Sequence, residues 1–236
     1  MTNIQYACLS SLMLWMLCAI PYSISADPAI EQWWQEDPVE KALAVNEGKL
    51  VFIRPQPDQG IHHHQTRIIL KPDSLVEGWI KLQQCHQHID AVPDAQIVFQ
   101  KGRVRDISIA SHTKIGQAWV EGHSVQLRDV LPGAKLCVDV ISKALTANPD
   151  GTYTLNNGPF MRRFLDGYYP MHVTMEIELP ADCLQFKGIT PHQQEGFEVH
   201  QGLNRLTIDT WFEGRLHTAI TFSPAAGDLV RKNCIY

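Results

Sequence analysis

The chain has 236 residues, of which 44% are hydrophobic, with 20 basic side chains against 25 acidic ones and a formal net charge of −5. That apolar share supports a packed core, and the length fits one large or two small domains. No basic stripe is present to neutralise phosphates, which disfavours nucleic acid as a partner.

Residues 1–26 read as a secretory signal peptide. An apolar run from Tyr6 to Ile20 is followed by the breaker Pro21 and the small residues of "SISA", and the first charged side chain is Asp27. The start, "MTNIQ", carries no Lys or Arg, so its positive charge is the terminal amine. An uncleaved anchor is the rival reading, because about 20 apolar residues can span a bilayer. Pro21 and the serines in the run favour cleavage, and membrane attachment is expected only if the leader is kept. Cys18 follows "WML" instead of small residues, which argues against a lipoprotein signal.

Residues 27–47 form a short helical lead-in. Asp27 can cap a helix opening at Pro28, with Ile30, Trp33 and Trp34 on one face. Its expected role is to dock both indoles on the first domain, and the alternative is an aromatic hook for a partner.

From Lys49 the hydrophobic period changes to two. "KLVFIR", "HQTRIILK", "LVEGWIKLQ", "AQIVFQ", "RVRDISIA", "GQAWVEG" and "AKLCVDVIS" are short runs rich in Val, Ile and aromatics, separated by Pro, Gly, Asp and Asn. In "LTANPDGTYTL", Pro149-Asp150-Gly151 supplies a hairpin turn. "HVTMEIEL" alternates cleanly, with Val173, Met175, Ile177 and Leu179 opposite His172, Thr174, Glu176 and Glu178, as in a half-buried antiparallel strand. "CLQFKGI", "GFEVHQ", "RLTIDTWF" and "RLHTAITF" complete the series. Similar numbers of strands on either side of residue 142 predict an all-β protein of two tandem sandwich domains, 48–142 and 143–236.

The stretch from Val173 to Phe222 resembles the immunoglobulin-like domains of exported bacterial proteins. It shares a strand ending in Leu-Pro, an apolar strand running to a Pro turn, a buried "LTID" strand and a closing "TAITF" strand. It departs from antibody-type domains in its tryptophan: Trp211 lies far beyond Cys183. The resemblance implies a non-catalytic scaffold that presents loops, and it transfers no site residues.

Four cysteines lie beyond the leader: Cys85, Cys137, Cys183 and Cys234. Three pairings are formally open. Near-equal spacing within each half favours Cys85–Cys137 and Cys183–Cys234. Closing loops of that length stabilises by roughly 4 kcal/mol in the chain-entropy picture. Disulfides in turn point to a periplasmic or secreted location.

Two segments carry candidate chemistry. The first is histidine-rich: all 11 histidines lie beyond the leader, with "HHH" at His62–His64 and "CHQH" at Cys85–His88. On strands, His62 and His64 share one face and His86 and His88 share another. If the two strands pair as a long-loop hairpin, the clusters meet at one rim. Imidazoles there would ligate copper or zinc. No Cys-x₂-Cys or His-Glu-x₂-His spacing supports such a site, and polar surface is the competing explanation.

The second is "FMRRFLDGYYP". Arg162, Arg163, Tyr168 and Tyr169 are of the types enriched at binding hot spots, with Asp166-Gly167 as a turn. A structural joint with paired arginines is the competing explanation. Glu176 and Glu178 share a strand face and read as solvated surface, since glycosidase carboxylates come from separate elements. No nucleophile elbow or phosphate loop is present, and an enzyme is unsupported. The expectation is therefore an exported, non-catalytic module binding a protein partner and needing no cofactor. A copper- or zinc-binding protein using His62, His64, His86 and His88 is the alternative.

Overall fold

A computed structural model describes residues 46–55, 60–164, 167–180, 183–225 and 234. The leader and nearly all of the lead-in lie outside these residues. The chain divides into residues 1–44 and a second compact unit from Val45 onward.

Among the described residues that unit is nearly all β, with one short helix between the strands and Cys234 also helical. In chain order it comprises β1 (Val51–Phe52), β2 (His63–Ile69), α1 (Pro72–Glu77), β3 (Trp79–Ile89), β4 (Asp94–Val98), β5 (Val104–Glu121), β6 (Ser124–Lys143), β7 (Leu145–Ala147) and β8 (Tyr153–Phe160). Next come β9 (Arg162–Phe164), β10 (Gly167–Tyr169), β11 (Met171–Glu178), β12 (Leu184–Thr190), β13 (Phe197–Gln201), β14 (Arg205–Glu213) and β15 (Leu216–Pro224).

Nine strands form one sheet in the order β1-β14-β11-β2-β3-β6-β4, with β13 on β14 and β5 on β6. Four more form a second sheet, β12-β15-β8-β7, and β9 and β10 make a separate ribbon. Alternation sets the inner face. Val173, Met175 and Ile177 on β11, Ile68 on β2, Leu206 and Ile208 on β14, and Val138 on β6 are all essentially inaccessible. They join Leu155, Ile220 and Phe222 of the second sheet in a single apolar cluster, so two sheets bury one core between them.

The division expected at residue 142 does not coincide with a break between sheets. β11 pairs in parallel with β2, bringing His172 opposite His63 and Ile177 opposite Ile68. The inner face is apolar on β11 and carries His64, Thr66 and Ile68 on β2, and each strand completes the other's ladder across a long stretch of chain. The residues that resemble immunoglobulin-like domains are likewise split, with β11, β13 and β14 in one sheet and β12 and β15 in the other.

Other boundaries also shift. The run read as a strand from Leu75 begins as helix α1. Pro72 occupies its first turn beside Asp73, the Lys71 backbone N–H donates to Ser74 Oγ at 3.1 Å, and Gly78 closes it at φ 76°. "RVRDISIA" and "GQAWVEG" fuse into the 18-residue β5. Bulges near Asp106 and Lys114, both at positive φ, let one strand absorb the polar residues between them. The β7–β8 hairpin around Pro149-Asp150-Gly151 forms as expected.

Both disulfides form with the expected pairing, Cys85–Cys137 and Cys183–Cys234. Cys85 and Cys137 stand directly opposite each other on β3 and β6. Two disulfides fit an oxidising compartment outside the cytoplasm. Among the described residues no helix is long and apolar enough to cross a membrane.

Candidate functional site

The two histidine clusters meet. β2 and β3 pair antiparallel with His64 opposite His86 and His63 opposite Gln87. Strand alternation then sorts the rings onto two faces.

On the inner face, His64 and His86 pack edge-on with ring centroids 4.4 Å apart, and His64 also meets Phe160 at 5.2 Å. His62 joins from just before β2, its Nε2 3.1 Å from His86 Nδ1. The His64 Nε2 is 2.6 Å from Thr66 Oγ1. The His86 Nε2 is buried with no partner among the described residues. Burial is the leading cause that favours neutral rings here, reinforced by like neighbours. It pushes His64 down to about 3 and His86 well below the usual histidine range. Burial also lowers His62 to about 4, against the opposing pull of the Asp90 carboxylate.

On the outer face, register builds a ring stack across three strands. Trp211 of β14 lies opposite His172 of β11, which lies opposite His63 of β2. The rings are nearly parallel, with centroids 4.0 Å and 3.9 Å apart. Asp209 holds His172 Nε2 at 3.0 Å, and Thr174 Oγ1 holds His63 Nε2 at 2.9 Å. Partial burial, then the neighbouring His172, lower His63 to about 4.

His88 does not share the face of His86. A bulge between Gln87 and Ile89 places His88 at φ 54° and exposes it, and Ile89 takes the next inward position. Of the four candidate metal ligands, therefore, His62, His64 and His86 converge and His88 is turned outward. Among the described residues, no group of three or more His, Cys, Asp and Glu side chains is disposed to hold a metal ion.

The Arg-Tyr segment lies at the same end of the sheet. It folds into the β9–β10 ribbon, with Arg163 opposite Tyr168 and Arg162 opposite Tyr169. Its base is clamped by two residues that turn inward. Arg162 Nε donates to Asp90 Oδ2 at 2.9 Å, and its Nη1 donates to the Pro170 carbonyl at 3.3 Å. Asp90 directly follows β3, so this clamp ties the ribbon to the histidine end. Tyr168 is buried, its backbone N–H donates to the Asn46 carbonyl at 2.9 Å, and its hydroxyl accepts from Arg215 Nε at 2.7 Å. Gly48 permits this packing: at φ 113°, an added Cβ would lie 3.0 Å from both the Tyr168 ring and Arg215.

The rest of the ribbon faces outward. Met161 and Phe164 are 42% and 40% exposed, Arg163 is exposed beside them, and Tyr169 packs edge-on against Phe164. Asp166 lies outside the described residues. The sequence pattern does not separate the clamps of this segment from its exposed surface. It also misses Asp90, Arg215, Asp209 and Trp211. Strand register brings Asp209 and Trp211 to the site, and the connections after β3 and before β15 bring Asp90 and Arg215.

No family model matches the sequence, and no curated protein matches it. Among solved structures, the chain is similar to a two-domain M1 zinc metallopeptidase crystallised with L-tryptophan. The TM-score is 0.36 and the identity 10%, over 76% of this chain and 44% of that one. The chain therefore spans less than half the length of that structure.

Proposed function

We propose that this is an exported protein, periplasmic or secreted, that works by binding and not by catalysis, and that it holds a protein partner on the β9–β10 ribbon. The observation that carries this reading is the contrast within one short segment. Arg162 and Tyr168 fix the ribbon's base, while Met161, Arg163 and Phe164 stand in solvent. Large apolar and guanidinium side chains on a pre-ordered ribbon make a binding hot spot at small entropic cost. The Cys85–Cys137 and Cys183–Cys234 disulfides support the location.

The test is site-specific cross-linking. A photo-reactive phenylalanine analogue at Phe164 should give a discrete adduct in the producing cells, and the same analogue at the distant Lys101 should not. Equal adducts at both positions, or none at Phe164, would remove the support for this surface.

The alternative, copper or zinc ligation, draws on the convergence of His62, His64 and His86 and on the unpartnered His86 Nε2. Titration with either metal alone decides it. Stoichiometric binding lost in His86→Ala would favour it, and equal weak binding by both proteins would end it.

A further inference from the structure

The outer face of the nine-stranded sheet carries hydrogen-bonding capacity that the fold itself leaves unused. Register lays this face out in rows. One runs Thr207, Glu176, Arg67, Gln83, Asp139 across β14, β11, β2, β3 and β6, and the next runs Asp209, Thr174, Gln65, Cys85, Cys137. Between them lies a hollow of about 430 Å³ lined by Gln65, Arg67, Gln83, Asp139, Thr174 and Glu176, among others. That volume falls within the roughly 300–1,000 Å³ typical of small-molecule sites.

Arg67, Arg205, Glu176 and Glu178 beside the hollow are matched to one another, while Asp139 accepts only from the Gln83 amide among the described residues. Arg67 pairs with Glu178 and lies 3.8 Å from Glu176, and Arg205 lies 3.5 Å from Glu176 and 3.9 Å from Glu178. Asp209 holds His172. An anionic ligand would have to break these pairs.

The amides are a different matter. Gln83 Nε2 donates to Asp139 Oδ1 at 3.2 Å, which leaves the Gln83 carbonyl without a partner among the described residues. Gln65 and Gln87 bond each other at 2.8 Å, and one of that pair must donate while the other accepts. Whichever way this bond runs, one donor and one acceptor remain over. Half-buried, neutral donors and acceptors in close alternation match a ligand whose every group both donates and accepts, which describes a sugar hydroxyl. The ring stack of His63, His172 and Trp211 occupies the next row, beyond the residues that line the hollow.

We propose that this hollow binds a neutral glycan, held by the amides of Gln65 and Gln83, with Gln87 fixing the Gln65 amide. The site is separate from the β9–β10 ribbon and does not depend on the partner reading.

The experiment uses the mature protein against neutral oligosaccharides of β-1,3-glucan, β-1,4-glucan, xylan, mannan and chitin. Affinity electrophoresis comes first, followed by calorimetry on any that retard it. At least one should bind, with affinity insensitive to salt. Gln65→Ala/Gln83→Ala should weaken it tenfold or more with an unchanged urea midpoint. Gln126→Ala, elsewhere on β6, should bind as the parent does. No retardation by any of these glycans would overturn the proposal, as would full binding by the double variant. A preference for polyanionic glycans that collapses with salt would overturn it too.

Discussion

Acidification should unfold this protein through its inner histidines, and His64 allows the size of the effect to be worked out. Its folded pKa is pushed down to about 3 by burial, against 6.5 for the free side chain. A depressed histidine pKa means that the unfolded chain binds the proton more readily than the native one. The stability this site contributes is therefore complete above pH 6.5 and is lost progressively as pH falls from there toward 3. At pH 5, 1.5 pH units below the free value and well above the folded one, the loss is about 2 kcal/mol at about 1.4 kcal/mol per unit. Set against a typical total of about 5–15 kcal/mol, that is a large fraction. The assay is urea unfolding followed by tryptophan fluorescence at pH 8, 7, 6 and 5, for the parent and for His64→Leu. The variant forfeits the Thr66 contact at every pH, so the readout is the slope and not the level. The gap between the two proteins should shift by about 2 kcal/mol in the variant's favour from pH 8 to pH 5. Parallel slopes would refute the argument that His64 is held neutral by its burial.

Other outcomes follow from named contacts. Arg162→Ala should cost about 2 kcal/mol in urea unfolding, because it strands the Asp90 carboxylate, whereas Arg163→Ala should stay within about 0.5 kcal/mol. Replacing Cys85 and Cys137 together by Ala should lower stability by roughly 4 kcal/mol, reflecting the 52-residue separation the bond spans. Gly214→Ala should lower the melting temperature by several degrees. Gly214 sits at φ +89°, and an added Cβ would lie 2.0 Å from the Lys49 carbonyl oxygen, prising residues 49–53 from β14.

Much of this architecture was legible where neighbours in sequence are neighbours in space. The meeting of His64 with His86 follows from a single antiparallel pairing, and the inward side of β11 follows from strict alternation through Val173, Met175 and Ile177. Even spacing was enough to pair the four cysteines. What escaped is what periodicity does not encode. The bulge at His88 breaks the period by one residue and turns that ring away from the cluster. The signal for α1 was present in Pro72, Asp73 and Gly78, but the apolar run beyond it read as a longer strand. The parallel join of β2 to β11 unites distant segments that look alike to any local pattern, so nothing local shows that strands on either side of residue 142 share one sheet. In the ribbon, Arg162 and Arg163 are adjacent and chemically identical. Only the position of Asp90 makes one a clamp and leaves the other exposed over the Tyr168 ring.

The most direct test of the account is whether the exposed half of the ribbon holds a partner without holding the fold. Size-exclusion analysis of extracytoplasmic extracts should compare the parent with Arg163→Ala/Phe164→Ser, alongside melting curves of both purified proteins. The account predicts that the parent elutes in a complex larger than the free chain. The variant should elute at the size of the free chain with an unchanged melting temperature. A parent that elutes alone, or a variant that loses its complex only because it melts many degrees lower, would contradict it.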